Sequence, residues 1–173
     1  MENLTHLDGS GQARMVPVGH KATTERTATA RASVILSPAT IRLLKDGKVP
    51  KGDVFAAARI AGIMAAKRTS ELIPLCHQVA LSHVEVHLDV LDDRVEIEAH
   101  ASTVDRTGVE MEALTAVTLA ALTVYDMVKA VDRSAVVHSI RLVSKSGGRS
   151  GTFLRSDDEP SAPMNGSGKE SMR

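Results

Sequence analysis

Apolar and polar residues alternate along much of this chain, and the alternation marks out most of its elements. Ala28, Ala30, Ala32, Val34 and Leu36 occupy every second position, with polar or mixed residues between them. Successive strand side chains point to opposite faces, so the pattern predicts a strand over 27–36 with one buried face. Val84, Val86, Leu88 and Val90 alternate with Glu85, His87 and Asp89. After a turn near Asp92-Asp93, Val95, Ile97, Ala99 and Ala101 alternate with Glu96, Glu98, His100 and Ser102. Two such runs around a polar turn predict a hairpin with one apolar and one wet face. A last strand fits 139–144.

Between the strands the period changes. Ser37 can accept hydrogen bonds from free N–H groups, and Pro38 suits the first helical position. Ile41, Leu43 and Leu44 give that helix an apolar side, and Gly47 stops it. Pro50-Lys51-Gly52 reads as a loop, and Asp53 as the cap of an alanine-rich helix reaching about residue 69. Gly62 within it permits close approach by another element. A long helix is predicted over 109–131; its uncharged stretch, 113–125, is too short for a bilayer and reads as buried. Residues 1–24 have no clear period and read as an arm or loop. From 156 to 173 the chain is Ser, Pro, Gly, Asn and charge, which predicts a disordered tail beyond a single domain over 25–155. The order strand, helix, strand, strand, helix, strand predicts an α+β ferredoxin-like sandwich, a four-stranded antiparallel sheet with helices packed on one face. Association between subunits would cover the other face.

Composition narrows the function. Aromatic residues are 2% of the 173, so the core is aliphatic and a base-stacking surface is disfavoured. Lys+Arg and Asp+Glu number 21 each, which argues against a nucleic-acid binder and makes any anion binding local. The single cysteine, Cys76, can form no internal disulfide and favours a reducing, cytoplasmic setting. The N-terminus has no basic region followed by an apolar stretch, so neither a signal peptide nor a membrane association is expected.

Five groups of residues can carry chemistry. Lys51 precedes a helix N-terminus, where anions are favoured, or is a solvated loop lysine. Cys76-His77 offers an acid, base or donor in His77, though His77 read alone is as well a packed histidine, and Cys76 a small buried hydrophobe. Metal ligation is disfavoured there, because further ligands have no evident source. Glu110 and Glu112 suit the dipole of a helix start, but two residues apart they point about 200° apart, so one must face protein, a partner or a ligand. Asp126 and Lys129 share a helix face as an ion pair, and their apolar flanks suggest burial that would move both pKa values toward acid–base use. Lys145-Ser146-Gly147-Gly148-Arg149-Ser150-Gly151 is either a phosphate-binding loop, though not of Walker type, or a plain C-terminal loop. Glu112 and Asp126 lie fourteen residues apart, about 21 Å along one helix, so a site using both joins two subunits.

These same residues carry a resemblance. Lys51-Gly52-Asp53-Val54-Phe55-Ala56, Ala58-Arg59-Ile60-Ala61-Gly62, Leu72-Ile73-Pro74-Leu75-Cys76-His77, and the stretches 107–115, 121–130 and 145–151 resemble the MoaC family, cyclic pyranopterin monophosphate synthases of molybdenum cofactor biosynthesis. The likeness covers about 4–153, beginning with Leu4-Thr5-His6; Gln78 stands where the family pattern leads one to expect proline. It implies a lyase that converts (8S)-3′,8-cyclo-7,8-dihydroguanosine 5′-triphosphate to cyclic pyranopterin monophosphate and diphosphate. It implies Asp126, Lys51 and Lys129 as catalytic groups. Leu75, Cys76, His77, Met111 and Glu112 would line the substrate site with Glu110 beside them, and Arg26 and Lys145 would contact the triphosphate. It further implies hexamers built as trimers of dimers, no required cofactor beyond a divalent cation that could accompany the triphosphate, and an upstream radical enzyme as supplier. The alternative is a non-catalytic ferredoxin-like module that binds a nucleotide for regulation.

Overall fold

The structure is a computed structural model that describes residues 6–156. Thr24–Ile35 forms β1, Pro38–Lys45 α1, Val54–Ala66 α2 and Thr69–Leu72 a one-turn α3. His83–Val90 (β2) and Arg94–Asp105 (β3) make the hairpin, Glu110–Val128 is α4, and Val136–Ser146 (β4) is followed by the two-residue β5, Phe153–Leu154. The sheet order is β2-β3-β1-β4-β5, with every pairing antiparallel. Its first four strands have the ferredoxin-like arrangement expected from the alternation. The short β5 adds a fifth strand at the edge, where two residues gave no period to read. The expected tail over 156–173 lies outside the described residues except for Ser156.

The core forms where the alternation placed it. Ala28, Ala30, Ala32 and Val34 of β1 and Val95, Ile97, Ala99 and Ala101 of β3 are buried on one face. Against them lies α4, whose Ala113, Ala116, Val117, Ala120, Ala121, Val124 and Val128 are fully buried. Small side chains on both surfaces let helix and sheet approach closely. α2 crosses α4 at Gly62, where a Cβ would stand 2.9 Å from the Ala116 carbonyl oxygen and 3.3 Å from the Ala120 methyl. α4 is long and apolar enough to cross a bilayer, but half of that apolar span is buried in this core. The sheet's opposite face carries internal pairs such as Arg31–Glu98, 2.6 Å apart.

Local differences have local causes. The helix expected to reach residue 69 stops at Ala66, with Lys67 as its cap and the Arg68 N–H turning back to the Ala65 carbonyl at 3.0 Å, and the chain resumes as α3 at Thr69. β4 begins three residues earlier than its periodicity suggests; the register shifts between its pairs with Arg31 and Ser33, and Ser139 adopts φ 57°. That bulge breaks the alternation a sequence reading needs.

One buried carboxylate ties the two ends of the domain together. Asp132, just after α4, accepts from the Ser37 N–H at 2.7 Å and the Ser134 hydroxyl at 2.6 Å. Ser37 in turn caps α1 through Thr40. Burial works to raise the Asp132 pKa, but hydrogen bonds from Ser134, the Ser37 N–H, and the Thr40 and Ser37 hydroxyls outweigh it and hold the carboxyl well below the usual range. Its stabilisation is therefore fully present above the ordinary carboxylate pKa and lost as pH falls through the lower folded value. Asp132→Ala should cost about 2–4 kcal/mol at neutral pH, because it strands buried donors. Urea unfolding of both proteins should show that gap narrowing below about pH 4; a gap independent of pH would refute the ionised-staple account.

Candidate active site

The candidate residues fall into two groups, one at each end of α4. At its C-terminal end, Lys51 reaches in from the loop before α2. The Gly52 turn, at φ 93°, and the Asp53 cap on Ala56 N–H set that loop. Lys51 Nζ donates to the Asp126 carboxylate at 2.7 Å and to the Asp126 carbonyl at 2.8 Å. Lys129 Nζ meets the other carboxylate oxygen at 2.7 Å. Asp126 is thus held between two ammonium groups. The hydrogen bond from Lys129, then that from Lys51, lowers its pKa to about 2, and Asp126 raises that of Lys129. This corrects the expectation from the apolar flanks. The Asp126 side chain is 53% exposed, and pairing rather than burial sets its protonation. Ala120, Ala121, Val124 and Val128 are buried, while Asp126 and Lys129 lie on the exposed side of the helix.

At the N-terminal end of α4, Ile73, Leu75, Cys76 and His77 face Met111 and Glu112 across a cleft of about 430 Å³. His6, Val16 and Val18 of the irregular N-terminal segment close its rim. His77 Nε2 donates to the Val16 carbonyl at 2.9 Å, since a carbonyl can only accept. This leaves Nδ1 for a ligand or solvent. The two acids at the helix start point apart as their spacing requires. Glu112 is buried at 4% exposure, whereas Glu110 turns outward to Lys145. Burial first, then the charge of Glu110, raises the Glu112 pKa to about 7. Burial and Glu112 also raise that of Cys76, so its thiol stays protonated and is no activated nucleophile.

A second cleft of about 780 Å³ adjoins the first, sharing Lys21, Thr107, Gly108 and Glu110. Its cations are Lys21, Arg26, Arg106, Lys145 and Arg149, and Glu110 is the one carboxylate among its lining residues. The glycine-rich loop closes over Arg26: a Cβ on Gly148 would overlap the guanidinium, and one on Gly147 would overlap the Glu25 carbonyl. Arg26 and Lys145 were expected here from the resemblance. Lys21 and Arg106 were not singled out. Arg106 had a signal, a cation four residues before the start of a helix; Lys21 sits in a segment without period. Among the described residues, no three His, Cys, Asp or Glu side chains gather as a metal-ligand set.

The MoaC family model matches residues 15–148, which include the Lys51–Asp126–Lys129 cluster and the lining of both clefts apart from His6, Arg149 and Ser150. The chain belongs to the MoaC family. It is 60% identical over 161 residues to the cyclic pyranopterin monophosphate synthase of Thermomicrobium roseum, covering 92% of this chain and 97% of that protein. It is 58% identical over 168 residues to the same-named protein of Pelotomaculum thermopropionicum, covering 96% and 99%. With that of Roseiflexus sp. it shares 61% over 156 residues, covering 89% and 99%. The matched span contains all eleven candidate positions. What it leaves to the geometry is their division between the two ends of α4.

Glu112 offers a direct check on this electrostatic picture. Its folded pKa, about 7, lies above the ordinary glutamate value of 4.5. Between these values the folded chain holds an extra proton, so its contribution to stability is present at the acid end and lost as pH rises through about 7. Glu112→Gln should flatten the fall in unfolding free energy across that window, measured by denaturant titration at several pH values. Parallel profiles for the two proteins would contradict the assignment.

Proposed function

We propose that the chain is a cyclic pyranopterin monophosphate synthase of molybdenum cofactor biosynthesis, a lyase that takes the cyclised GTP derivative to cyclic pyranopterin monophosphate and diphosphate. The observation that carries the reading is the continuity of two unlike clefts. One has apolar walls, a buried protonatable carboxyl at Glu112 and the His77 imidazole. It suits a guanine-derived ring that must gain and lose protons. The other is lined by cations and suits a triphosphate. The rearrangement moves protons and rebuilds rings. It calls for no redox cofactor, and a divalent ion can arrive with the phosphates.

The catalytic groups are Asp126, Lys51 and Lys129, supplied by a second copy of the chain. In one copy they stand about 21 Å from Glu112 along α4. Exposure on the helical layer supports the assembly: Ile60 is 59% exposed, Met64 54%, Leu122 48% and Met111 38%. On helical spacing, Met111, Leu122 and Lys129 fall within about 20° of one another. Two α4 helices laid antiparallel about a twofold axis would cover this stripe. They would also bring Asp126 of each to the cleft of the other. Hexamers built from such dimers fit the family, and the reduced, unpaired Cys76 fits a cytoplasmic protein.

Incubation with the cyclised substrate should give product pterin and diphosphate. Asp126→Ala or Lys51→Ala should reduce turnover by at least about a hundredfold, the scale of a lost acid–base group. Unchanged substrate would instead indicate a binding module. Glu112→Ala and Asp126→Ala chains, each inactive, should regain about a quarter of wild-type activity after subunit exchange, because mixed dimers hold one intact site. No recovery in demonstrably mixed oligomers would place the whole site in one copy.

A further inference from the structure

The reading above gives Glu110 no necessary task. Its neighbours suggest one. Lys145 Nζ lies 2.9 Å from Glu110 Oε1 and 3.0 Å from the Ser150 hydroxyl. The Lys145 and Glu110 side chains are only 25% and 29% exposed, so water screens the pair incompletely. Gly108 makes room for this arrangement: a Cβ there would overlap the Glu110 carboxyl. The carboxylate also sits in the first turn of α4, whose N–H groups and dipole would otherwise attract a phosphate. It therefore competes for both features of the cleft that favour an anion.

We propose that Glu110 is a displaceable counter-ion for Lys145: the terminal phosphates of the substrate take its place, and it recaptures Lys145 as diphosphate leaves. The inference rests on the synthase reading, because it needs a polyanion that binds and then departs. Five cations facing one cleft would hold diphosphate strongly. A carboxylate that re-forms a 2.9 Å pair with one of them lowers the free energy of the emptied cleft and so weakens product retention. Its role differs from that of Glu112: Glu112 is buried within the neighbouring cleft, whereas Glu110 lies on the boundary and is tied to the phosphate side. Glu110 is a positioning residue that acts through Lys145 rather than through the ring.

The test is calorimetric binding of inorganic pyrophosphate and of guanosine to the full-length oligomer, with unfolding curves to confirm intact folding. Glu110→Gln keeps the shape and removes the charge. It should tighten pyrophosphate by about three- to tenfold, the scale of one partly screened charge pair, and leave guanosine binding unchanged. Diphosphate should inhibit turnover of that variant more strongly, with kcat falling and KM not rising. Glu110→Asp should lie near wild type. In a Lys145→Gln background the tightening should disappear, since the two residues act as one unit. Weaker guanosine binding with unchanged pyrophosphate would make Glu110 a ring contact and overturn the proposal. Weaker pyrophosphate binding by Glu110→Gln would overturn it too, by making the carboxylate a support of the cleft. Should the wild-type protein fail to bind pyrophosphate, the phosphate role of the cleft falls first, and the counter-ion role with it.

Discussion

The close seating of α4 between the sheet and α2 is the constraint on which this structure turns. That seating needs small residues on every contacting surface, and Ala113, Ala116, Ala120, Ala121 and Gly62 supply them. A helix so enclosed cannot carry charge along its buried middle without a large desolvation cost. Its ionisable groups are consequently confined to the ends: Glu110 and Glu112 at the start, Asp126 near the finish, with Lys129 as the cap. The same packing that makes the core determines that one copy of the chain holds the candidate site in two separated halves.

Three carboxylates on one helix then behave in three ways. Asp126 is solvated but locked between two ammonium groups, and it stays ionised far into acid. Glu112 is buried beside another carboxylate and holds its proton near neutrality. Glu110 is partly exposed and paired to Lys145. Residue type is almost the same in all three, so environment alone separates a carboxylate held between two cations, one that keeps its proton near neutrality and one paired to a single lysine.

Most of the fold was legible because strands and helices here are each buried on a defined face. The alternation of β1 and the β2–β3 hairpin marked the sheet, and the Ser37-Pro38 and Asp53 signals marked two helix starts that the structure retains. The two-residue β5 and the bulge at Ser139 were not legible, since neither offers a sustained period. The opposed facing of Glu110 and Glu112 followed from helix geometry alone. The exposure of Asp126 did not: apolar neighbours in sequence were taken for apolar surroundings in space, although on a helix they lie mostly on other faces. Lys21 and Asp132 illustrate the remaining gap. One comes from an arm without pattern, and the other acts through partners 95 residues away, which no local window contains.

The exposure of the Lys51–Asp126–Lys129 cluster bears on more than its pKa values. In water an ion pair is weakened by solvent, and its ammonium protons exchange with bulk. Cover the same three groups with an apolar surface, and every interaction among them strengthens while water is excluded. Ile60, Met64 and Leu122 provide such a surface on the helical layer of each copy. In the proposed dimer the apolar stripe and the exposed charges would be complementary parts of one arrangement. Neither is useful to a lone chain: the stripe is a hydration cost and the cluster a screened surface pair. In the proposed twofold dimer, the stripe would supply free energy of association that offsets the cost of desolvating the charges. In the proposed dimer the chemistry would depend on assembly, because the low-dielectric setting for Asp126 and its lysines would be built from the second copy.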